Sequence, residues 1–438
     1  MATWWLDATT SPELGLRPPM SGTGPTVPGP PVAKDVTPLA PEAPQWPWRP
    51  GGPAGPPPPR APRSRSGRAR LVGGLVAVAV VAGALGGWAT HQANGYFLFS
   101  PGTAPLITAS AACKDVGGQL SLPNGSPCVH LVVPQGRARA VAGGLYMVDV
   151  EVGQANALDW LTYQFGLLGS DRELVPVSEY APGTPVSELG CQDTQQMVSA
   201  DQDAAQAAFK VLGYRINESA LGAQVVTVYP GTAAWDAGVK CNDLITALDG
   251  HPVRSSEALT RLLAPLSPGT VVHLTVSSGG RSRRVSVKLG PVTASARARG
   301  ASGKAYMGVM VQTWAVPKLP FPVSVNAGPI GGPSAGLAFC LAILDALSNG
   351  KLTGGHRVAA TGTIDPQGNV GDVGGVREKT VAVEKAGAQV FFVPRDEYGD
   401  ARSQARGGLA VVPVTTLGQV LRILHQRYGG DISGLRLG

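Results

Sequence analysis

A serine and a lysine in the C-terminal third of the sequence have the chemistry of a nucleophile and its base. Ser334 follows the glycine-rich stretch Gly328-Pro329-Ile330-Gly331-Gly332-Pro333 and precedes an apolar run that predicts a helix ending before Gly350. Backbone N–H groups at the start of a helix stabilise negative charge, so a nucleophile there suits a reaction that forms an oxyanion. The simpler interpretation is that Ser334 only caps the helix.

Lys379 has the chemistry of a general base if the protein keeps it neutral. It lies 45 residues after Ser334, at the end of Val373-Gly374-Gly375-Val376-Arg377-Glu378-Lys379 and within a predicted helix. Neutrality requires burial to lower the lysine pKa by several units from about 10.4. The apolar neighbours that would bury it are Val373, Val376, Val381 and Val383. Taken alone, Lys379 has the pattern of a solvated helix lysine.

Strands and helices surround these two residues, and we predict the fold class to be α+β. A strand over Pro322–Asn326 enters the glycine-rich stretch, and Thr361-Gly362-Thr363-Ile364 forms a second strand. Farther upstream, Gly144–Val152 alternates as a strand, and Gln195–Leu212 has one apolar helical face. We expect these upstream elements to pack with residues 320–438.

The intervening segment, from about Val211 to Pro291, has short strands and one longer helix. The blocks that carry its resemblance to a bacterial protease-associated PDZ domain are Pro230-Gly231-Thr232-Ala233-Ala234, Ala237-Gly238-Val239, Asn242-Asp243-Leu244-Ile245 and Asp249-Gly250-His251-Pro252-Val253. The resemblance implies capture of an extended peptide or chain end as an added strand. It also implies a carboxylate-binding loop made of Leu221, Gly222, Ala223 and Gln224. The alternative is a small β domain that acts as a spacer.

The serine and lysine segments together resemble the proteolytic domain of the Lon family, the Ser–Lys peptidases. Gly-Pro-Ser-Ala-Gly around Ser334 matches the nucleophile motif, and Gly-Gly-Val-Arg-Glu-Lys ending at Lys379 matches the lysine motif. The resemblance implies a catalytic dyad of these two residues. It implies three supporting residues, of which the threonine bonds the lysine: Thr361, Gly332 and Ala335. Gly331 departs from the family, in which many members have an acid at this position.

The uncharged run Leu71–Thr90 predicts a single transmembrane helix. Twenty residues at 1.5 Å each span about 30 Å, the thickness of a bilayer core. Five arginines directly precede the run: Arg60, Arg63, Arg65, Arg68 and Arg70. Because the first Lys or Arg after it is Lys114, the positive-inside rule predicts a cytoplasmic N-terminus and an extracytoplasmic catalytic region over 91–438. A buried core helix and a signal peptide are the alternatives.

Charge and proline are concentrated in the first 70 residues, which we predict to be a disordered cytoplasmic tail. These residues hold 18 of the 39 prolines and +4 of the net charge of +7. The remaining +3 does not supply the basic stripe of a nucleic-acid-binding protein. The predicted divisions are the tail 1–70, the membrane helix 71–90, the first part of the Lon-like region 91–212, the inserted PDZ-like domain 213–291 and the catalytic domain 292–438.

Cysteine spacing predicts disulfides and no metal site. Cys113, Cys128, Cys191 and Cys241 allow three pairings, of which 113–128 with 191–241 is the most local. Cys340 lies in the apolar run after Ser334, as expected of a core thiol. The sequence has no metal-ligand spacing and no GxxxxGK[ST] motif for ATP, so we expect no cofactor.

These patterns predict a membrane-anchored, ATP-independent serine endopeptidase that acts on extracytoplasmic proteins. Its expected partners are protein or peptide substrates, which the PDZ domain captures or gates, and the Lon resemblance suggests a homo-oligomer, by analogy a hexamer. The alternative function is a non-catalytic PDZ scaffold on a decayed protease fold. Loss of Ser334 or Lys379 would be the mark of such decay, and both residues are present.

Overall fold

The computed structural model of the chain describes residues 66–134, 136–139 and 141–436, with side chains from residue 79 onward. Its helices are α1 (Ser66–Ala93), α2 (Ala157–Gln164), α3 (Val177–Tyr180), α4 (Val186–Val211), α5 (Ala233–Asp236), α6 (Ser256–Leu263), α7 (Ala294–Ala298), α8 (Gly336–Leu347), α9 (Val376–Lys385), α10 (Tyr398–Gln404) and α11 (Leu417–Tyr428). A single 3-10 turn at Arg395–Glu397 precedes α10.

The strands of the described residues are β1 (Tyr96–Pro101), β2 (Leu106–Thr108), β3 (Lys114–Val116), β4 (Gln119–Ser121), β5 (Cys128–Val132), β6 (Gly144–Tyr146), β7 (Val150–Gln154), β8 (Glu173–Pro176), β9 (Glu218–Val228), β10 (Leu244–Leu248), β11 (His251–Pro252), β12 (Val271–Ser278), β13 (Arg281–Lys288), β14 (Gly290–Pro291), β15 (Ala305–Tyr306), β16 (Val309–Pro317), β17 (Ser324–Asn326), β18 (Arg357–Ala360), β19 (Thr363–Ile364), β20 (Val370–Gly371), β21 (Val390–Pro394) and β22 (Ala410–Val414).

The predicted tail and membrane segment fall largely at the start of this description. Residues 1–65 of the predicted tail lie outside the described residues, as do the side chains of residues 66–78. The predicted membrane segment 71–90 lies within α1. Where the structure describes the chain, it has no helix that is both long and apolar enough to cross a membrane.

A seven-stranded sheet in the order β17-β5-β2-β6-β18-β21-β22 forms the larger domain. Its neighbours β6 and β18 are parallel, with Gly144 opposite Arg357. Helices α4 and α8 pack against each other on this sheet and bury the side chains of Phe209, Phe339 and Leu341. Residues before and after the PDZ-like segment therefore share one core, as expected from the sequence.

A second sheet, in the order β13-β12-β10-β9-β16 with β11 paired to β10, forms the smaller domain. Val225, Ile245 and Leu274 lie in its core. The hairpin of β12 and β13 turns at Gly279 and Gly280, whose φ angles of 54° and 78° suit glycine because it has no Cβ.

The predicted strand Gly144–Val152 is wrong in one respect, because the structure divides it between two sheets. β6 belongs to the seven-stranded sheet, whereas β7 pairs with β1 in a three-stranded sheet completed by β8. Between them, the N–H of Asp149 donates to Thr103 O at 3.0 Å and turns the chain from one sheet to the other. Alternation of side chains continues across such a crossing, so the pattern alone does not reveal it.

Both predicted local disulfides are present. Cys113 pairs with Cys128 at the edge of the larger domain, and Cys191 on α4 pairs with Cys241 in the loop before β10. The second bond therefore links a helix of the larger domain to the smaller one. Cys340 is a free, fully buried core thiol, as predicted.

Candidate functional site

Ser334 lies in the turn directly before α8, and the segment after β18 holds its backbone in place. The carbonyl of Ser334 accepts hydrogen bonds from Gly362 N at 2.9 Å and from Thr361 Oγ1 at 3.2 Å. In return, Leu337 N in the first turn of α8 donates to Gly362 O at 3.0 Å. The Thr361-Gly362 segment is thus joined to the serine segment.

The resemblance assigned Thr361 a bond to the lysine, and the structure gives its hydroxyl a different acceptor. Thr361 is fully buried, and its Oγ1 donates to the carbonyl of Ser334. Its backbone N–H donates to Phe392 O at 3.0 Å, which ties it to the neighbouring strand β21. Thr361 therefore positions the serine backbone in this structure.

The glycine-rich stretch before Ser334 packs closely on α4. Gly332 N donates to Asp193 O at 2.9 Å, so this N–H is already engaged. A Cβ on Gly331 would lie 2.8 Å from Asp193 Cβ, which is too close for any larger residue without displacement. Among the described residues, the N–H groups of Ser334 and Ala335 donate to no protein acceptor. They are the donors at this helix start that remain open to a substrate oxygen.

Lys379 lies in the first turn of α9 with a side chain that is 1% exposed. Burial lowers the pKa of Lys379 from 10.5 to about 8, because the charged form loses its hydration. Val376 and Val383 are buried in the cluster that packs α9 on the sheet, as the sequence predicted. Val373 packs against that cluster from its edge. The lysine is therefore a core residue and not a solvated helix lysine.

Three carboxylates surround Lys379 and oppose the effect of burial. The negative charges of Glu397, Asp149 and Glu378 raise the pKa of the lysine. Glu397 accepts from Val373 N at 2.7 Å, and its other oxygen is buried with no hydrogen-bond partner among the described residues. Burial raises the pKa of Glu397 to about 7, against the effect of this hydrogen bond and of Lys379.

Asp149 is fixed by the residues at the end of β1. Thr103 donates to its carboxylate through both the backbone N–H and the hydroxyl, the latter at 3.0 Å. Gly102 admits this approach, because a Cβ there would lie 2.0 Å from Asp149 Oδ1. The carboxylate is thereby held in one orientation near the lysine.

Ser334 and Lys379 are each linked to a residue that follows one of two neighbouring strands of the seven-stranded sheet. β18 and β21 are parallel neighbours, and Thr361 and Glu397 follow their carboxyl ends. Thr361 contacts Ser334, and the charge of Glu397 acts on Lys379. Across the described residues, no hydrogen bond joins the serine hydroxyl directly to the lysine ammonium group.

A cavity of about 230 Å³ adjoins the nucleophile segment. Its walls come from both domains and include Gln195, Asp203, Val226, Gln312, Pro333 and Thr363. Pro333 precedes Ser334, whereas Val226 and Gln312 lie on β9 and β16 of the smaller sheet. The smaller domain thus forms one wall of a cavity next to the candidate nucleophile.

The prediction of a loop at Leu221, Gly222, Ala223 and Gln224 is wrong about the backbone. These residues lie within β9, between strands β10 and β16. Gly222 serves close strand packing, since a Cβ there would lie 2.6 Å from Ile245 O. The four residues are not brought to the Ser334 segment by any hydrogen bond of the described chain.

Asp149, Asp193 and Glu397 were not singled out from the sequence. Asp149 lies between Val148 and Val150, but Glu151 continues the same alternation of valine with an acid, so no local pattern distinguishes Asp149. Glu397 follows β21 in a segment of mostly polar residues, a pattern typical of an exposed turn, so no local pattern distinguishes it.

Residues 304–427 match the Lon protease (S16) C-terminal proteolytic domain, and residues 210–289 match the PDZ domain. One part of the chain is therefore similar to a Lon-type proteolytic domain and another part to a PDZ domain. Its serine segment, lysine segment and α8 all lie within the first match. Similarity to Lon proteases supports a serine-type peptidase.

Three relatives illustrate the extent of this similarity. The Lon protease of Vibrio parahaemolyticus is 33% identical over 108 residues, which cover 24% of this chain and 14% of the relative. The Lon protease of Campylobacter concisus is 34% identical over 104 residues, which cover 23% of this chain and 13% of the relative. Lon protease 1 of Myxococcus xanthus is 36% identical over 100 residues, covering 22% and 12%. The chain thus spans about one seventh or less of the length of these relatives.

Among solved structures, the PDZ domain of the SdrC-like protein from Listeria monocytogenes is 22% identical, with a TM-score of 0.18. That similarity covers 21% of this chain and 87% of the other.

Proposed function

We propose that this protein is a serine endopeptidase that hydrolyses peptide bonds with Ser334 as nucleophile and Lys379 as general base. The observation that carries the proposal is the burial of Lys379, which lowers its pKa to about 8. A lysine in this state is neutral in a useful fraction of molecules near physiological pH. The match to the Lon proteolytic domain supports the same chemistry.

The residues act in a defined order in this mechanism. Neutral Lys379 takes the proton from the Ser334 hydroxyl as Oγ attacks the substrate carbonyl carbon, which requires Nζ within hydrogen-bond distance of Oγ in the substrate complex. The open N–H groups of Ser334 and Ala335 stabilise the oxyanion of the tetrahedral intermediate. The lysine then protonates the leaving amine, and water releases the acyl group with Lys379 again as base.

Single substitutions of the dyad test this function. Ser334→Ala and Lys379→Ala are each expected to reduce cleavage of a loosely folded secreted protein by at least about 10³-fold, because both steps need both groups. Ser348→Ala at the other end of α8 and Lys385→Ala at the end of α9 are matched controls with no expected loss. Cleavage at the parent rate by either dyad variant would refute the assignment of Ser334 and Lys379 as the catalytic dyad. A parent protein that binds peptides but does not cleave them would favour the alternative of a non-catalytic PDZ scaffold.

We further propose that α1 anchors the chain in a membrane, with the proteolytic and PDZ domains outside the cytoplasm. The run Leu71–Thr90 and the arginines before it support this orientation. Exposed apolar side chains next to α1 add support: Leu158, Phe165 and Leu167 are 68%, 74% and 73% exposed. If α1 is a membrane anchor, the full chain should assemble with phospholipid nanodiscs and elute together with them. A full chain that elutes free of lipid would contradict the anchor.

The substrates in this proposal are short, loose or partly folded proteins that need no ATP-driven unfolding. The sequence contains no GxxxxGK[ST] motif, and ATP is scarce outside the cytoplasm. Cleavage of an unfolded protein at equal rates with and without added Mg–ATP is the expected result. A rate that depends on ATP would contradict this part of the proposal.

A further inference from the structure

Strand β9 of the PDZ domain has a neighbour along each edge. On one side, β10 pairs Leu244 with Gln224 and Ile245 with Ala223. On the other side, β16 runs antiparallel to β9 through nine residue pairs, from Val309 opposite Val228 to Pro317 opposite Glu218. The edge that an incoming peptide would need for pairing with β9 is therefore occupied by this chain itself.

The side chains of β16 are bound as well as its backbone. Ser256 N, at the start of α6, donates to Thr313 Oγ1 at 3.0 Å. The Thr313 hydroxyl in turn donates to Glu257 Oε2 at 3.2 Å. Val309 and Val311 pack against the core of the PDZ domain. β16 thus lies against both β9 and α6, with alternate side chains held on the domain.

This arrangement is that of a peptide added to a sheet edge, in which backbone pairing gives affinity and alternate side chains give specificity. Although β16 is a strand of the smaller sheet, it lies inside the segment 304–427 that matches the Lon proteolytic domain and outside the PDZ match at 210–289. We propose that β16 is the intramolecular ligand of the PDZ domain, which therefore clamps the segment leading to Ser334 and does not receive substrate chain ends at β9.

The segment after β16 carries this clamp to the nucleophile. Lys318 N donates to Asn217 O at 2.8 Å, which extends the pairing beyond the end of the strand. β17 then pairs with β5, and Val325 N donates to Asp201 Oδ1 of α4 at 2.9 Å. Ser334 follows eight residues after Asn326. The residues between β16 and Ser334 are therefore held at one end by the PDZ domain and near the other by the larger sheet.

Thr313→Val tests the clamp, because valine keeps the shape of the side chain and removes only its hydrogen-bonding hydroxyl. We expect hydrogen exchange of residues 309–334 to become roughly three- to tenfold faster, in line with the loss of one or two hydrogen bonds. Hydrolysis of a short fluorogenic peptide should fall by a similar factor, since the Ser334 segment is less well held. Thr313→Ser keeps the hydroxyl and should behave as the parent.

Two results would overturn the clamp. Unchanged hydrogen exchange in residues 318–334 would show that β16 does not hold the segment leading to Ser334. Faster peptide hydrolysis by Thr313→Val would show that β16 instead blocks a groove along β9 that receives substrate. If Thr313→Val does not fold, Glu257→Ala removes the acceptor of the same hydroxyl from an exposed position and is judged by the same criteria. The functional readout rests on the proposed peptidase, but hydrogen exchange does not, so an inactive parent refutes the peptidase and still tests the clamp.

Discussion

Lys379 has two opposing influences on its protonation, and the balance sets the pH dependence of any reaction that uses it as a base. Burial lowers its pKa to about 8, whereas Glu397, Asp149 and Glu378 raise it. Below pH 8 the lysine is mostly protonated and inactive as a base. Cleavage should therefore rise with pH through about 8 and level off above it, which a profile of kcat/KM against pH measures.

Glu397→Gln should shift this profile to lower pH. The substitution keeps an oxygen to accept from Val373 N and removes a negative charge that favours protonated Lys379, so the lysine pKa falls. Because the pKa of Glu397 itself is raised to about 7, the shift should be evident in the neutral to alkaline range, where the parent carries the charge.

The adjacent exposed acid provides the control for this shift. Asp396→Asn removes one charge next to Glu397 from the surface and should leave the profile where it is in the parent. An unchanged profile in Glu397→Gln, or an equal shift in both variants, would show that Glu397 does not act on the base. A shift to higher pH would contradict the sign of the argument.

At the scale of elements, α1 and α2 meet in a small aromatic contact. The rings of Trp88 on α1 and Trp160 on α2 are in edge-to-face contact, with 5.1 Å between their centroids. Ala89 and Ala93 are buried with Trp160, whereas Trp88 is 52% exposed. Between Glu151 and Asp171 the chain has one charged residue, Asp159, which caps its own helix by accepting from the backbone of Asn156 at 3.0 Å. The exposed face of α2 and the turn after it is therefore almost free of charge.

A membrane anchor at α1 predicts that this face lies at the lipid surface. Phe165→Cys, labelled with a fluorophore that responds to polarity, should be quenched by doxyl-labelled lipid in nanodiscs that contain the full chain. Val271→Cys on β12, where the valine is 51% exposed, is the matched control and should not be quenched. Equal quenching at both positions, or none at Phe165→Cys in a chain that has assembled with the nanodisc, would contradict this placement.

At the scale of the whole molecule, the two domains are joined by more than the chain that connects them. The Cys191–Cys241 disulfide links α4 to the PDZ domain, and Gln195 Nε2 on the same helix donates to Val225 O at 2.7 Å. β16 adds a strand of the Lon-type segment to the PDZ sheet. The cavity beside Pro333 depends on this arrangement, since its lining includes residues of both domains.

Removing this disulfide should affect activity as well as stability. Cys191→Ser/Cys241→Ser is expected to lower the free energy of unfolding by about 2–4 kcal/mol and to lower kcat/KM severalfold, because the cavity wall is less well held. Cys113→Ser/Cys128→Ser should cost about as much stability with little change in kcat/KM. Denaturant unfolding and peptide hydrolysis measure the two quantities. Equal activity in the two double variants would contradict a role for the interdomain link.

The sequence by itself located the two chemical groups and most of the elements that hold them. Ser334 and Lys379 are marked by local signals, namely glycines at a turn, a helix start and valines at core spacing. The β12–β13 hairpin and the extent of α8 depend on the same kind of short-range information. Such signals can be read along a single chain because each element forms largely from its own residues.

Only the tertiary structure decided what surrounds these groups. The charge of Asp149 acts on Lys379 from a position 230 residues upstream, and that of Glu397 acts from the turn after β21. Strand β16 pairs with β9 although most of the PDZ domain lies between them in sequence. The PDZ resemblance implied a loop at residues 221–224, where a glycine is compatible with either a turn or close strand packing. Which of these it adopts depends on whether a distant strand occupies the edge, and a single sequence carries no direct record of that pairing.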